Sequence, residues 1–238
     1  MEEFNTMNQS YQAGSISYEA DPVGRYTAKT FGWMFLGLLV TFLVALAGYV
    51  TGAIYYVFLI PAAVFVLAIA EVVVVLFLSA RISKMSVGSA RALFFLYAVL
   101  NGVVFSAYFL LYDLTSMVLV FGATSLFFGV MGAVGYMTRA DLSKLRNFLL
   151  GGVLFLAAFW LIGMFINLSQ LELIVCTVGI FIFLVFTAYD TQKIRAYHAA
   201  YSANPEMAKK ASIFSALQLY LDFINLFLYL LRVLGRRK

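Results

Sequence analysis

The stretch Val64-Phe65-Val66-Leu67-Ala68-Ile69-Ala70-Glu71-Val72-Val73-Val74-Val75-Leu76-Phe77-Leu78 is an almost unbroken apolar run carrying a single acid. A transmembrane barrel strand alternates apolar and polar residues over about ten positions, and this run does not alternate. With its flanks it covers about 55–80, enough for a helix to cross a hydrocarbon core, which takes about 20 residues. Inside that core each backbone N–H and C=O needs a partner, and a helix supplies one locally. Comparable runs lie at about 30–52, 92–112, 116–137, 147–168, 171–190 and 212–234. The reading is an all-α membrane protein with seven transmembrane helices: a polar tail over 1–27, then one seven-helix domain over 28–238.

Composition agrees. Hydrophobic residues make up 64% of the chain and charged residues 11%, against about 25% charged in soluble domains. The net charge of +5 raises the question of nucleic acid, but Lys and Arg sit at span ends rather than on one face or beside aromatics, so no nucleic-acid partner is expected. The single cysteine, Cys176, lies within an apolar run, where it reads as a small filler and excludes an intrachain disulfide. The tail (Glu2, Glu3, Glu19, Asp21, Arg25) lacks the basic, apolar, small-residue order of a cleaved signal and is expected to stay on the protein. Glycines 102, 122, 129, 132, 135, 151 and 152 fall inside spans, where small residues let helices approach; the 129–132–135 series reads as packing.

Orientation follows from the basic residues. Arg25 and Lys29 precede the first span; Arg81, Lys84 and Arg91 follow the second, Arg139, Lys144 and Arg146 the fourth, and Lys193, Arg195, Lys209 and Lys210 the sixth. The alternate connections hold none, which places the N-terminus in the cytoplasm. Arg232, Arg236, Arg237 and Lys238 follow the last span and fall outside if it crosses fully, the reading favoured here over a re-entrant segment. That span carries Ser215, Gln218, Asp222 and Asn225 on one helical face, and a helix so polar belongs in the protein interior.

Ionisable groups within a membrane span are costly and are functional candidates. Of the eleven acids, Glu71, Asp190 and Asp222 qualify. Asp190 ends the predicted sixth span and Asp222 lies near the middle of the last, so at about 1.5 Å per residue their contact requires an inward bend or a shallower register. If they meet, two carboxylates in low dielectric resist double ionisation and share a proton, which makes a pH sensor. The bland alternatives are a solvated helix-end Asp190 and a hydrogen-bonded structural Asp222. His198 is expected in a solvent-exposed loop.

The segments Thr187-Ala188-Tyr189-Asp190-Thr191-Gln192-Lys193 and Leu219-Tyr220-Leu221-Asp222-Phe223-Ile224-Asn225-Leu226-Phe227, with Leu230-Leu231-Arg232 and Gly235, resemble the two signature stretches of the Bax inhibitor-1 family. Gly32-Trp33-Met34, Glu71 and Ser79-Ala80-Arg81-Ile82-Ser83-Lys84-Met85-Ser86 add to the resemblance, which covers nearly everything after residue 25 and is closest to bacterial members. It implies six helices packed around a central C-terminal seventh, an inner (plasma) membrane location, and a pH-sensitive calcium leak gated by Asp190 and Asp222. It further implies that Arg81 pairs with Asp190 in the closed state, and that calcium is the permeant ion, touching Asp190 and Asp222 transiently. Hard divalent cations prefer such oxygen ligands. Glu71, Gln218 and Asn225 are candidate ion-pathway residues, and no cofactor is expected.

Two other classes remain. An intramembrane aspartyl protease also uses two aspartates, but the presenilin class has Gly-x-Gly-Asp where this chain has Leu219-Tyr220-Leu221-Asp222, and Pro22, Pro61 and Pro205 form no Pro-Ala-Leu motif. One histidine rules out a His-Glu-x-x-His site. No enzymatic activity is expected. A non-transporting regulator that binds a membrane protease or another membrane protein is the remaining alternative.

Overall fold

The computed structural model describes residues 21–60 and 62–238. Residues 1–20, most of the predicted tail, lie outside the described residues. The regular elements are helices: α1 Val23–Val50, α2 Ala53–Phe58, α3 Ala63–Arg81, α4 Val87–Ser106, α5 Tyr108–Leu111, α6 Leu114–Met137, a 3-10 turn Leu142–Leu145, α7 Arg146–Gly163, α8 Ser169–Tyr201 and α9 Pro205–Leu234. Six helical stretches among the described residues are long and apolar enough to cross a membrane: α1, α4 with α5, α6, the 3-10 turn with α7, α8 and α9.

The predicted second span differs from a single helix over 55–80, being divided into α2 and α3. Ile60 precedes a proline in the sequence, and the ring of a following proline disfavours helical backbone. α3, with 19 residues, is not among the six. The first span also starts earlier than expected, at Val23 instead of about residue 30.

The last two helices depart most from expectation. α8 has 33 residues and α9 has 30, so each is about 45–50 Å long, against a hydrocarbon core of about 30 Å. The excess lies where α8 hands over to α9. α9 starts with a built N-terminus: the Asn204 side chain accepts a hydrogen bond from the Met207 N–H at 3.0 Å, Pro205 occupies the first turn, and Glu206 follows.

α9 is the most enclosed helix, with 72% of its most apolar stretch buried against 44% or less in the other five. It packs on α8, α1, α6 and α4. Polar bonds tie it to α1: Tyr26 Oη donates to the Ala208 carbonyl (3.0 Å), Thr30 Oγ1 lies 2.8 Å from Ser212 Oγ, and Thr41 Oγ1 lies 2.6 Å from Tyr220 Oη. Helix backbones close up where the residue is small. A Cβ at Gly102 would stand 2.9 Å from the Thr41 carbonyl oxygen, and one at Gly152 2.8 Å from Ile182 Cδ1. The glycine series is only partly a packing motif, because a Cβ at Gly129 meets nothing within 4 Å and one at Gly132 makes ordinary contacts; Gly122 and Gly151 are open as well.

Cross-connections define the two ends of the bundle. At one end His198 bonds the Asp21 carbonyl, Lys210 donates to the Ser83 carbonyl and Gln192 to the Ala140 carbonyl. At the other end the Asp113 N–H donates to the Arg236 carbonyl at 2.9 Å and the Lys238 N–H to the Leu111 carbonyl at 3.0 Å. α9 therefore runs unbroken from the basic end of the bundle to the opposite one.

Candidate functional site

The site is built by the α8–α9 hairpin. Its register is visible in two contacts: Lys193 Nζ donates to Gln218 Oε1 at 3.2 Å, and the Phe183 and Tyr229 rings stack 5.8 Å apart. The residue numbers in each pair sum to nearly the same value, as antiparallel neighbours must, and Asp190 with Asp222 belongs to that series. The two carboxyl groups face each other across the hairpin. Both residues are only 4% exposed. The depth mismatch expected from sequence disappears because α8 continues past Asp190 to Tyr201; Asp190 lies inside a helix and is not a solvated terminus.

Asp190 Oδ1 and Asp222 Oδ2 are buried without a hydrogen-bond partner among the described residues, as are Thr191 Oγ1 and Ser215 Oγ nearby in the two helices. One proton between the carboxyls would satisfy an oxygen of each. Two carboxylates also form too small an oxygen set for a resident calcium ion, which takes six to eight ligands. No group of three or more His, Cys, Asp or Glu side chains that could hold a metal occurs among the described residues.

The cation beside the pair is Lys193, whose Nζ lies 3.7 Å from Asp190 Oδ1. Tyr189, Tyr197 and Phe214 surround it, each ring centroid within 6 Å of the ammonium. Lys193 follows Asp190 by three residues on one helix, a spacing that brings side chains together. The expected partner Arg81 makes no ion pair with Asp190 among the described residues. It ends α3, which packs chiefly on α4, and its exposed guanidinium lies over the Phe77 ring, 5.9 Å from the centroid.

The remaining candidates divide. Gln218 joins the site through Lys193. Asn225 turns back on its own helix, Nδ2 donating to the Leu221 carbonyl at 2.8 Å. Glu71 stands apart: its Oε1 is buried without a hydrogen-bond partner among the described residues, within electrostatic reach of Tyr97, Tyr108 and Tyr220. Tyr220 is two residues, about 200°, around α9 from Asp222, so its side chain leaves the helix on the side away from the aspartate. His198, expected in a loop, is a half-buried residue of α8, and its Nε2 lies 2.7 Å from the Asp21 carbonyl.

The wall behind Asp190 is α6. At Gly135 the α6 backbone touches the Ala188 carbonyl region of α8, and a Cβ there would stand 2.7 Å from Ala188 Cα. The end of α6 and the segment after it grip α8 further on: Arg195 Nη1 donates to the carbonyl of Tyr136 in the last turn of α6 at 2.6 Å, and the Leu142 N–H donates to Gln192 Oε1 at 3.0 Å. Sequence reasoning misses both Lys193 and this anchorage. It takes Lys193 only as topological charge, although the spacing from Asp190 is visible there.

Residues 23–238 match the family model described as "Inhibitor of apoptosis-promoting Bax1". The chain is 36% identical to the inner membrane protein YbhL of Escherichia coli K12, over 98% of this chain and all of that protein. It is 37% identical to an uncharacterized protein of Deinococcus radiodurans (90% of this chain, 91% of that one) and 35% identical to an uncharacterized protein of Borreliella burgdorferi (90% and 93%). With the match running from the start of α1 through the aspartate-bearing hairpin to the last residue, the chain belongs to the Bax inhibitor-1 family of membrane proteins.

Proposed function

We propose that this protein is a pH-sensitive cation leak channel with calcium as the permeant ion. The observation that carries the reading is the buried Asp190–Asp222 pair in the most enclosed helix hairpin of the bundle. Ionisable groups so placed are costly and rare, and they mark ion pathways and proton relays. Protonation of the pair weakens the hold of Asp190 on Lys193, loosens α8 against α9 and opens the basic end. Arg81 is a second cation at that end for the closed state, and Glu71 a separate waypoint.

In this reading α3, about 28 Å long, is a seventh crossing beside α4, and the other helices surround α9. The membrane is the bacterial inner membrane, as the name of the E. coli relative states for that protein, with the N-terminus cytoplasmic. No enzymatic step is assigned.

Purified protein in liposomes should pass calcium down its gradient faster at pH 5–6 than at pH 8. Flux no greater than through empty liposomes over that range removes the channel reading and leaves the non-transporting regulator. Separately, reporters placed after α3, α6 and α8 should be cytoplasmic and one after Lys238 external. A cytoplasmic C-terminal reporter would contradict the traverse of α9.

A further inference from the structure

α1 and α6 diverge over α9 and leave an apolar slot of about 330 Å³, within the size range of small-molecule sites. Phe223, Ile224 and Phe227 of α9 form its floor, and Phe42 of α1 and Val118 of α6 stand in its walls. Wall residues Phe35, Phe42 and Val118 are 51–63% exposed, so the slot opens sideways to the bilayer and not into the bundle. From Phe35 to Ala45 it follows α1 for about 15 Å.

One end of the slot is charged. Phe109 lines it, and the Phe109 carbonyl accepts a hydrogen bond from Lys238 Nζ at 3.0 Å. The same ammonium lies 5.5 Å from the centre of the Tyr49 ring, which stacks on Phe109. Arg236 is exposed alongside, its carbonyl bonded to the Asp113 N–H. Among the described residues Glu172 pairs with Arg232 and Arg237, whereas Arg236 and Lys238 have no carboxylate within ion-pair distance. These cations stand at the end of the bundle whose other connections carry no Lys or Arg, against the usual distribution of positive charge. A counter-anion from the bilayer would account for them.

We propose that the slot binds one acyl chain of an anionic phospholipid from the leaflet at the C-terminal end, its phosphate held by Lys238 and Arg236. Basic groups beside a gap between membrane helices recognise anionic headgroups in this way. The chain would lie against Phe223, adjacent to Asp222, so an occupied slot presses on the helix that carries the aspartate. The binding claim itself does not depend on ion flux.

The test is native mass spectrometry of delipidated full-length protein titrated with phosphatidylglycerol or phosphatidylcholine of identical acyl chains. The parent should retain phosphatidylglycerol more strongly, and Arg236→Gln/Lys238→Gln should weaken that retention on the order of tenfold while leaving phosphatidylcholine unchanged. Val118→Trp, a tolerant position at 63% exposure, should reduce retention of both lipids by filling the slot. Equal retention of the two lipids by the parent overturns the proposal. So does an undiminished preference in the double variant, lipid retention unaffected by Val118→Trp, or a lipid-free dimer of the parent.

Discussion

Asp190→Asn should give cation flux at neutral pH that is roughly tenfold above the parent's and nearly independent of pH, a change within the usual range for coupled two-state elements. The sign follows from charge. In the parent at neutral pH an ionised Asp190 holds the Lys193 ammonium 3.7 Å away, and Lys193 in turn is bonded to Gln218 of α9. This chain joins the two helices and acid breaks its first link, because a neutral carboxyl attracts an ammonium weakly. The amide introduced by the substitution is neutral at every pH and so fixes the protonated condition. Lys193→Met removes the other partner and should move flux in the same direction. Asp222→Asn leaves the Asp190–Lys193 contact in place, so its neutral flux should stay near the parent's while the shape of the acid response changes. Arg81→Ala, at a side chain lying exposed over Phe77, should have the smallest effect. Calcium flux into liposomes between pH 5 and 8 checks the set. If Asp190→Asn and Lys193→Met both keep the parent's profile, the gate lies elsewhere.

How much of this is legible in the sequence depends on what kind of signal each feature leaves. Apolar runs announce helices, and the clusters of basic residues fall at helix ends. Helix ends are poorly read because hydropathy marks the bilayer and not the helix: Asn204-Pro205-Glu206 is a cap motif in plain view, yet apolarity alone starts α9 at about 212. The same error puts Asp190 at a terminus and His198 in a loop. Asp190 and Asp222 can be nominated from cost alone, since acids in apolar runs demand a reason. Their facing register cannot, because it depends on how far α8 overruns the bilayer. Resemblance gives Asp190 a partner, Arg81, that the structure does not place beside it, although the i, i+3 spacing of Lys193 offers a local answer. Glycine number is likewise a poor guide, since 129, 132 and 135 share a spacing but only one touches a neighbouring backbone closely.

That difference yields the second large effect, on folding. Gly135→Ala should destabilise the protein by about 3 kcal/mol, the upper part of the range for overpacking, whereas Gly129→Ala should be neutral or stabilising by up to about 1 kcal/mol. Both replacements gain helix propensity, worth at most about 1 kcal/mol over glycine, so the surroundings decide the outcome. At Gly129 the new methyl enters open space. At Gly135 it lands on the Ala188 carbonyl of α8, a backbone group with no rotamer to escape into, so the whole of α8 must move away from α6. That retreat cannot be local: Gln192 holds α8 to Leu142 after α6 through a bond of 3.0 Å and Arg195 holds it to Tyr136 in the last turn of α6 through one of 2.6 Å, and these would stretch with it. Ala188 is two residues from Asp190, so the displaced backbone also carries the carboxyl away from Asp222. Gly135→Ala should therefore lower the unfolding midpoint in detergent and at the same time blunt the pH dependence of flux, a joint loss not expected of Gly129→Ala. An unchanged midpoint for Gly135→Ala would mean that α6 and α8 do not pack backbone to backbone at this level, and the wall assigned behind Asp190 would have to be redrawn.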